Sequence, residues 1–159
     1  MQTASRYPWG KGTPIWVLNN VANDSDKTAI TVPGGKIYDL KFLEAVIDCT
    51  VAAGVRALTV IVTNGVATLS VLAAEAVAAS ARGRIRLVNT GLATTSASAN
   101  APLVPDYAAG LTDTVSFFGS LPDPCLLLPG YTVRIYDQAA IAAAADDLVV
   151  ALHYIEYDE

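Results

Sequence analysis

The clearest pattern in the chain is a two-residue alternation that changes phase partway. From Lys36 the apolar positions are Tyr38, Leu40 and Phe42, with Asp39 and Lys41 between them. Beyond that point the apolar set is Leu43, Ala45, Ile47 and Cys49, with Glu44 and Asp48 opposite. A period of two is the signature of a β-strand, which is predicted from Lys36 to Val51. A slip of one residue would turn every apolar side chain to the other face. One extra residue near Phe42–Leu43 restores a single buried face, so a β-bulge is predicted there.

Shorter runs carry the same signal. Strands are predicted at Ile15–Leu18, Thr28–Val32, Val55–Thr63, Thr68–Leu72, Arg82–Asn89, Thr114–Phe118, Cys125–Leu128, Tyr131–Tyr136 and Leu148–Tyr157. Leu58, Val60 and Val62 face inward. Pro33-Gly34 and Pro129-Gly130 fit the central positions of type II turns, and Asn64-Gly65 is a hairpin signal. Ala73–Ser80 has helix-forming composition, but its neighbours on both sides read as strand and a loop is expected. Ala139–Ala145 fits one helical turn. Residues 90–112 are Thr, Ser, Ala, Gly and Pro with few large apolar side chains, and form a long loop.

Many short strands without a βαβ rhythm predict an all-β fold, an antiparallel β-sandwich. A jelly-roll-like arrangement accommodates this number of strands in two sheets. An immunoglobulin-like sandwich is the alternative. Residues 1–27 read as an extended N-terminal arm with a first short strand, because Pro8, Gly10, Gly12 and Pro14 oppose helix. Residues 28–159 form a single β-sandwich domain.

Composition changes the picture in one respect. The 159-residue chain is 53% hydrophobic and only 16% charged, where an ordinary soluble domain carries roughly 25% charged residues. Mean hydropathy is +0.42. The net charge of −5 and a pI near 4.7 argue against nucleic-acid binding. The 18-residue uncharged stretch Ala57–Ala74 contains Asn64-Gly65 and is better explained by two strands and a turn than by a membrane helix. Residues 1–12 are polar and aromatic and contain no apolar stretch of the kind a signal peptide carries. A surface this short of charge points to burial against other chains. Apolar residues on both faces of Val55–Thr63 and Leu148–Tyr157 point the same way.

The candidate chemistry is sparse. Arg82, Arg84 and Arg86 are three of six arginines and share one face of a strand. Such a stripe can dock on a partner's acidic surface. Alternatively, it pairs across strands with acids such as Asp39 or Glu44, or it binds phosphate, which the acidic background disfavours. Tyr7 and Trp9 are candidate anchors on a neighbouring subunit, while Trp16 is expected in the core. His153 is the single histidine and has no triad or metal partner in the pattern. Cys49 and Cys125 read as buried free thiols. Asp146-Asp147 reads as a turn, and Glu156, Asp158 and Glu159 as a small acidic tail. The nucleotide-loop, hydrolase-elbow and zinc-helix motifs are all absent from the sequence. The expectation is a protein that is not an enzyme, with no cofactor and no metal.

Several stretches carry a resemblance. They are Val32-Pro33-Gly34-Gly35-Lys36, Val55 to Gly65, Leu126 to Ile135, and Asp146 to Val150. Together they resemble small β-sandwich structural proteins of tailed bacteriophages, over most of residues 28–157. The arm lies outside the likeness. The resemblance implies a virion component, best matched by a capsid cement or decoration protein. Such a protein would bind across major capsid subunits on the head surface and pass through the host cytoplasm during assembly. Its implied partners are the major capsid protein and copies of itself in a trimer, with no nucleic acid and no membrane. A tail or tail-tip protein and a carbohydrate-binding sandwich are the alternatives. The resemblance carries over no catalytic residue.

Overall fold

The computed structural model describes residues 11–19, 26–51, 54–89, 113–137 and 147–159. These residues form ten strands and contain no helix. In chain order they are β1 (Thr13–Asn19), β2 (Asp26–Thr31), β3 (Lys36–Asp48), β4 (Arg56–Thr63), β5 (Thr68–Val77), β6 (Arg82–Asn89), β7 (Asp113–Leu121), β8 (Leu126–Leu127), β9 (Thr132–Asp137) and β10 (Asp147–Asp158).

The larger sheet has the order β1-β10-β3-β6-β7, with β8 pairing β3 beyond the end of β6; the smaller is β2-β9-β4-β5. Setting β7 and β8 aside, the other eight strands divide equally between the two sheets. Renumbered along the chain, they read 1-8-3-6 in one sheet and 2-7-4-5 in the other, which is jelly-roll connectivity. β7 and β8 are additions to the larger sheet. β7 pairs parallel to β6, the one parallel pair among the described strands.

The core lies between the sheets. β3 contributes Tyr38, Leu40, Leu43, Ala45 and Ile47, β4 Leu58, Val60 and Val62, β6 Ile85 and Leu87, and β10 Leu148, Val150 and Leu152. The jump from Leu40 to Leu43 is the phase change of the sequence. Tyr154 pairs Leu40 and His153 pairs Phe42, so Lys41 is the extra residue of a bulge. The bulge falls one residue earlier than predicted. As a result, Phe42 leaves the core row and joins the outer face, 6.0 Å from the ring of Trp16.

Three further expectations are corrected. Ala73–Val77 is strand, not loop. It pairs with β4 from Val60 back to Arg56, and Ala73 and Val77 are buried while Ala74 and Ala76 are exposed. Alanine suits a helix by itself, but here the β4 ladder decides. The Pro33 turn is displaced by one residue. Lys36 N donates to Pro33 O, and Gly35 holds φ +76°. Pro129-Gly130 does form the predicted type II turn, with Tyr131 N on Leu128 O and Gly130 at φ +82°. The third concerns the apolar outer faces of β4 and β10. Ile61 on β4 and Val149 and Ala151 on β10 are buried within the chain, Val149 and Ala151 clustering with Val46 of β3. These faces are not left open for neighbours. The Ala139–Ala145 turn and the 90–112 loop lie outside the described residues.

Candidate assembly surface

The outer face of the larger sheet holds the arginine stripe. Phe42, Glu44, Val46 and Asp48 alternate outward on β3, and the register sets Arg86, Arg84 and Arg82 opposite the last three. Arg86 Nη2 donates to Glu44 Oε1 at 2.8 Å, and Arg84 Nη1 donates to the same oxygen. Arg82 grips Asp48 with two bonds, Nε to Oδ1 at 2.6 Å and Nη2 to Oδ2 at 2.9 Å. The Glu44 side chain is fully buried, and those of Arg84 and Arg86 are 12% exposed. Of the arrangements open to the stripe, the chain itself forms the cross-strand one. Glu44 serves two of the arginines and Asp48 the third.

The other described arginines are also engaged within the chain. Buried Arg56 donates to Gly54 O at 3.1 Å and Thr50 Oγ1 at 3.0 Å, and Arg134 lies 4.3 Å over the ring of Tyr136. Lys36 binds Asp158 at 2.6 Å and Glu156 at 2.9 Å, which pushes its pKa up to about 12. Much of the acidic tail is thereby tied to the turn before β3, and Glu159 N donates to Gly35 O.

Apolar side chains, by contrast, are exposed at the sheet edges. Trp16 is 58% exposed and Leu18 49% exposed, both on edge strand β1. Trp16 does not enter the core as expected. Ile15 and Val17 pack inward, so the pleat sends Trp16 outward, where it stacks on His153 at 4.3 Å. Burial and the Lys41 charge lower the pKa of His153. On edge strand β5, Leu69 is 44% exposed and Val71 60% exposed, and Val66 projects from the β4–β5 loop. There Asn64 Oδ1 accepts from Val66 N and Ala67 N, with Gly65 at φ +83°. β5 lies against β6 and β7, whereas β1 and β10 lie against β2. The two apolar edges are therefore on opposite sides of the sandwich. Tyr7 and Trp9 lie outside the described residues.

One polar group was not anticipated from the sequence. The Lys41 ammonium sits 2.6 Å from Asp39 Oδ2 and 3.6 Å from Asp123 Oδ1. Asp39 Oδ1 accepts from Cys125 N at 3.1 Å, and Asn89 Nδ2 donates to Asp123 Oδ1 at 3.3 Å. The only available signal was two charged residues flanking the phase change, because Asp123 arrives from a distant loop. Burial, with the nearby Asp39 carboxylate, raises the Cys125 thiol to about 11, so it stays protonated at neutral pH. Both cysteines are buried free thiols.

Among the described residues no group of three acidic, His or Cys side chains is placed to hold a metal, and no helix is long and apolar enough to cross a membrane. No family model, curated protein or solved structure matches the chain.

Proposed function

We propose that this chain is a virion structural protein, a cement or decoration subunit that binds across major capsid subunits on a phage head. The observation that carries the reading is the placement of polarity: described charges are largely spent on internal pairs, while large apolar side chains are exposed on two opposite edges. Opposite, dissimilar patches favour head-to-tail contacts, which form rings such as trimers when the rotation between subunits closes. Many weak contacts of this kind add up over a shell. The sequence resemblance to tailed-phage sandwich proteins supports the same reading. Purified protein mixed with shells lacking it should bind saturably and raise their resistance to heat. Absence of saturable binding contradicts the proposal. Copy number separates head from tail, since hundreds of copies per particle fit a capsid site and a few dozen or fewer fit a tail.

A second reading is supported by Trp16. An exposed indole stacked on His153 is the kind of platform a carbohydrate-binding sandwich would use. A glycan array on which the protein binds nothing removes this reading.

A further inference from the structure

We propose that Lys41 and Asp123 condense spontaneously into an isopeptide bond, with Asp39 as the proton relay. The inference rests on the polar group at the bulge and is independent of the assembly reading.

The bulge turns Lys41 outward beside Asp39, and the loop before β8 brings Asp123 over it. The three side chains are 10%, 0% and 23% exposed respectively. One cation and two carboxylates in so little solvent are costly to keep charged. Amide formation between Lys41 and Asp123 removes two of the three charges. Nζ already lies 3.6 Å from Asp123 Oδ1, which replaces a bimolecular encounter by a held proximity.

The supporting groups are individually fixed. Asp39 Oδ1 is held by Cys125 N, which leaves Oδ2 facing Nζ. Asn89 is buried and anchored through Nδ2 to Pro122 O at 3.1 Å, and the same amide donates to Asp123 Oδ1. That donor is aimed where negative charge develops as the carboxyl carbon becomes tetrahedral.

The Lys41 ammonium first passes one proton to the Asp123 carboxylate, which gives a neutral Nζ and a carboxylic acid beside the Asp39 carboxylate. Nζ attacks Cγ of Asp123 and the N–C bond forms. Asp39 takes a proton from Nζ and delivers it to the departing Asp123 hydroxyl. The C–O bond breaks, one water leaves, and Asp39 is again a carboxylate. No oxidant or cofactor is consumed. The product ties the central strand of the larger sheet to the segment that leads into β8.

The test is the intact mass of the denatured full-length chain, followed by peptide mapping. The expected result is a mass lower than the sequence by one water, with a branched peptide joining Lys41 to Asp123. Lys41→Arg, Asp123→Ala and Asp39→Asn should each return the chain to full mass. A wild-type chain at full sequence mass overturns the proposal, whatever the variants do. So does a water loss that maps to an unbranched peptide, as in a cyclic imide. Asp123 itself cannot close onto the next amide, because Pro124 has no N–H.

Discussion

β3 and β5 place polarity in opposite ways. β3 runs through the middle of the larger sheet and is buried along nearly its whole length, carboxylates included. β5 is an edge of the smaller sheet, and its first half exposes Leu69 and Val71 to water. The charge that a solvent-facing strand would display is found inside, and the apolar groups that a core would take are found outside. Low overall charge is therefore not explained by an oversized core. It reflects charge withdrawn into pairs and apolar surface left on the edges.

The largest effect should come from breaking the β3 side of this contrast. Glu44→Ala leaves Arg84 and Arg86 without their shared carboxylate in a nearly dry site. Losing one partner of a buried pair costs about 3–5 kcal/mol, which a shifted denaturant midpoint would report. If Glu44→Ala unfolds at the wild-type midpoint, the pairs contribute nothing.

The seam where the two regions meet is next. A Cβ on Gly83 of β6 would lie 2.2 Å from Val77 Cγ2 at the end of β5. Gly83→Ala should cost about 1–3 kcal/mol through forced repacking. Gly83→Ala with Val77→Ala should recover part of that loss, as a double-mutant cycle would show.

A smaller effect belongs to His153, which is half-buried beside exposed Trp16. Its pKa in the folded chain lies below the ordinary value of 6.5. Below that ordinary value the unfolded chain binds more protons, so stability falls as pH drops from 6.5 toward the folded pKa, and the decline ends there. Unfolding measured across this window should show the slope in wild type and a flatter profile in His153→Gln. Equal slopes would mean that this histidine is not the group responsible.

Much of the fold was legible because β pleating leaves a period of two wherever one face meets the core. The phase change at 36–49 announced a bulge, and its position was off by one because apolar Phe42 continues the alternation of Tyr38 and Leu40, whereas it packs on the outer face near Trp16. β5 was cut short because Ala73–Val77 lacks the bulk that marks a strand; only the β4 ladder makes it one. Trp16 was misplaced because parity on an edge strand depends on its neighbours Ile15 and Val17. The arginine stripe was visible, but its acids were not fully so. Glu44 was one of two named candidates, and Asp48 emerged only from the antiparallel register of β3 with β6. Asp123 could not be joined to Lys41 from sequence, since the segment between them folds through four strands before returning.

The exposed half of the comparison bears the central claim, that the apolar edge of β5 serves association. Leu69→Lys with Val71→Lys should leave stability within about 0.5 kcal/mol, as surface changes usually do. Sedimentation of wild type and this double variant over a range of concentrations is the most direct measurement. Wild type should associate as its concentration rises, and the variant should stay a monomer. A wild-type chain that stays monomeric throughout, or a variant that associates equally well, would contradict it.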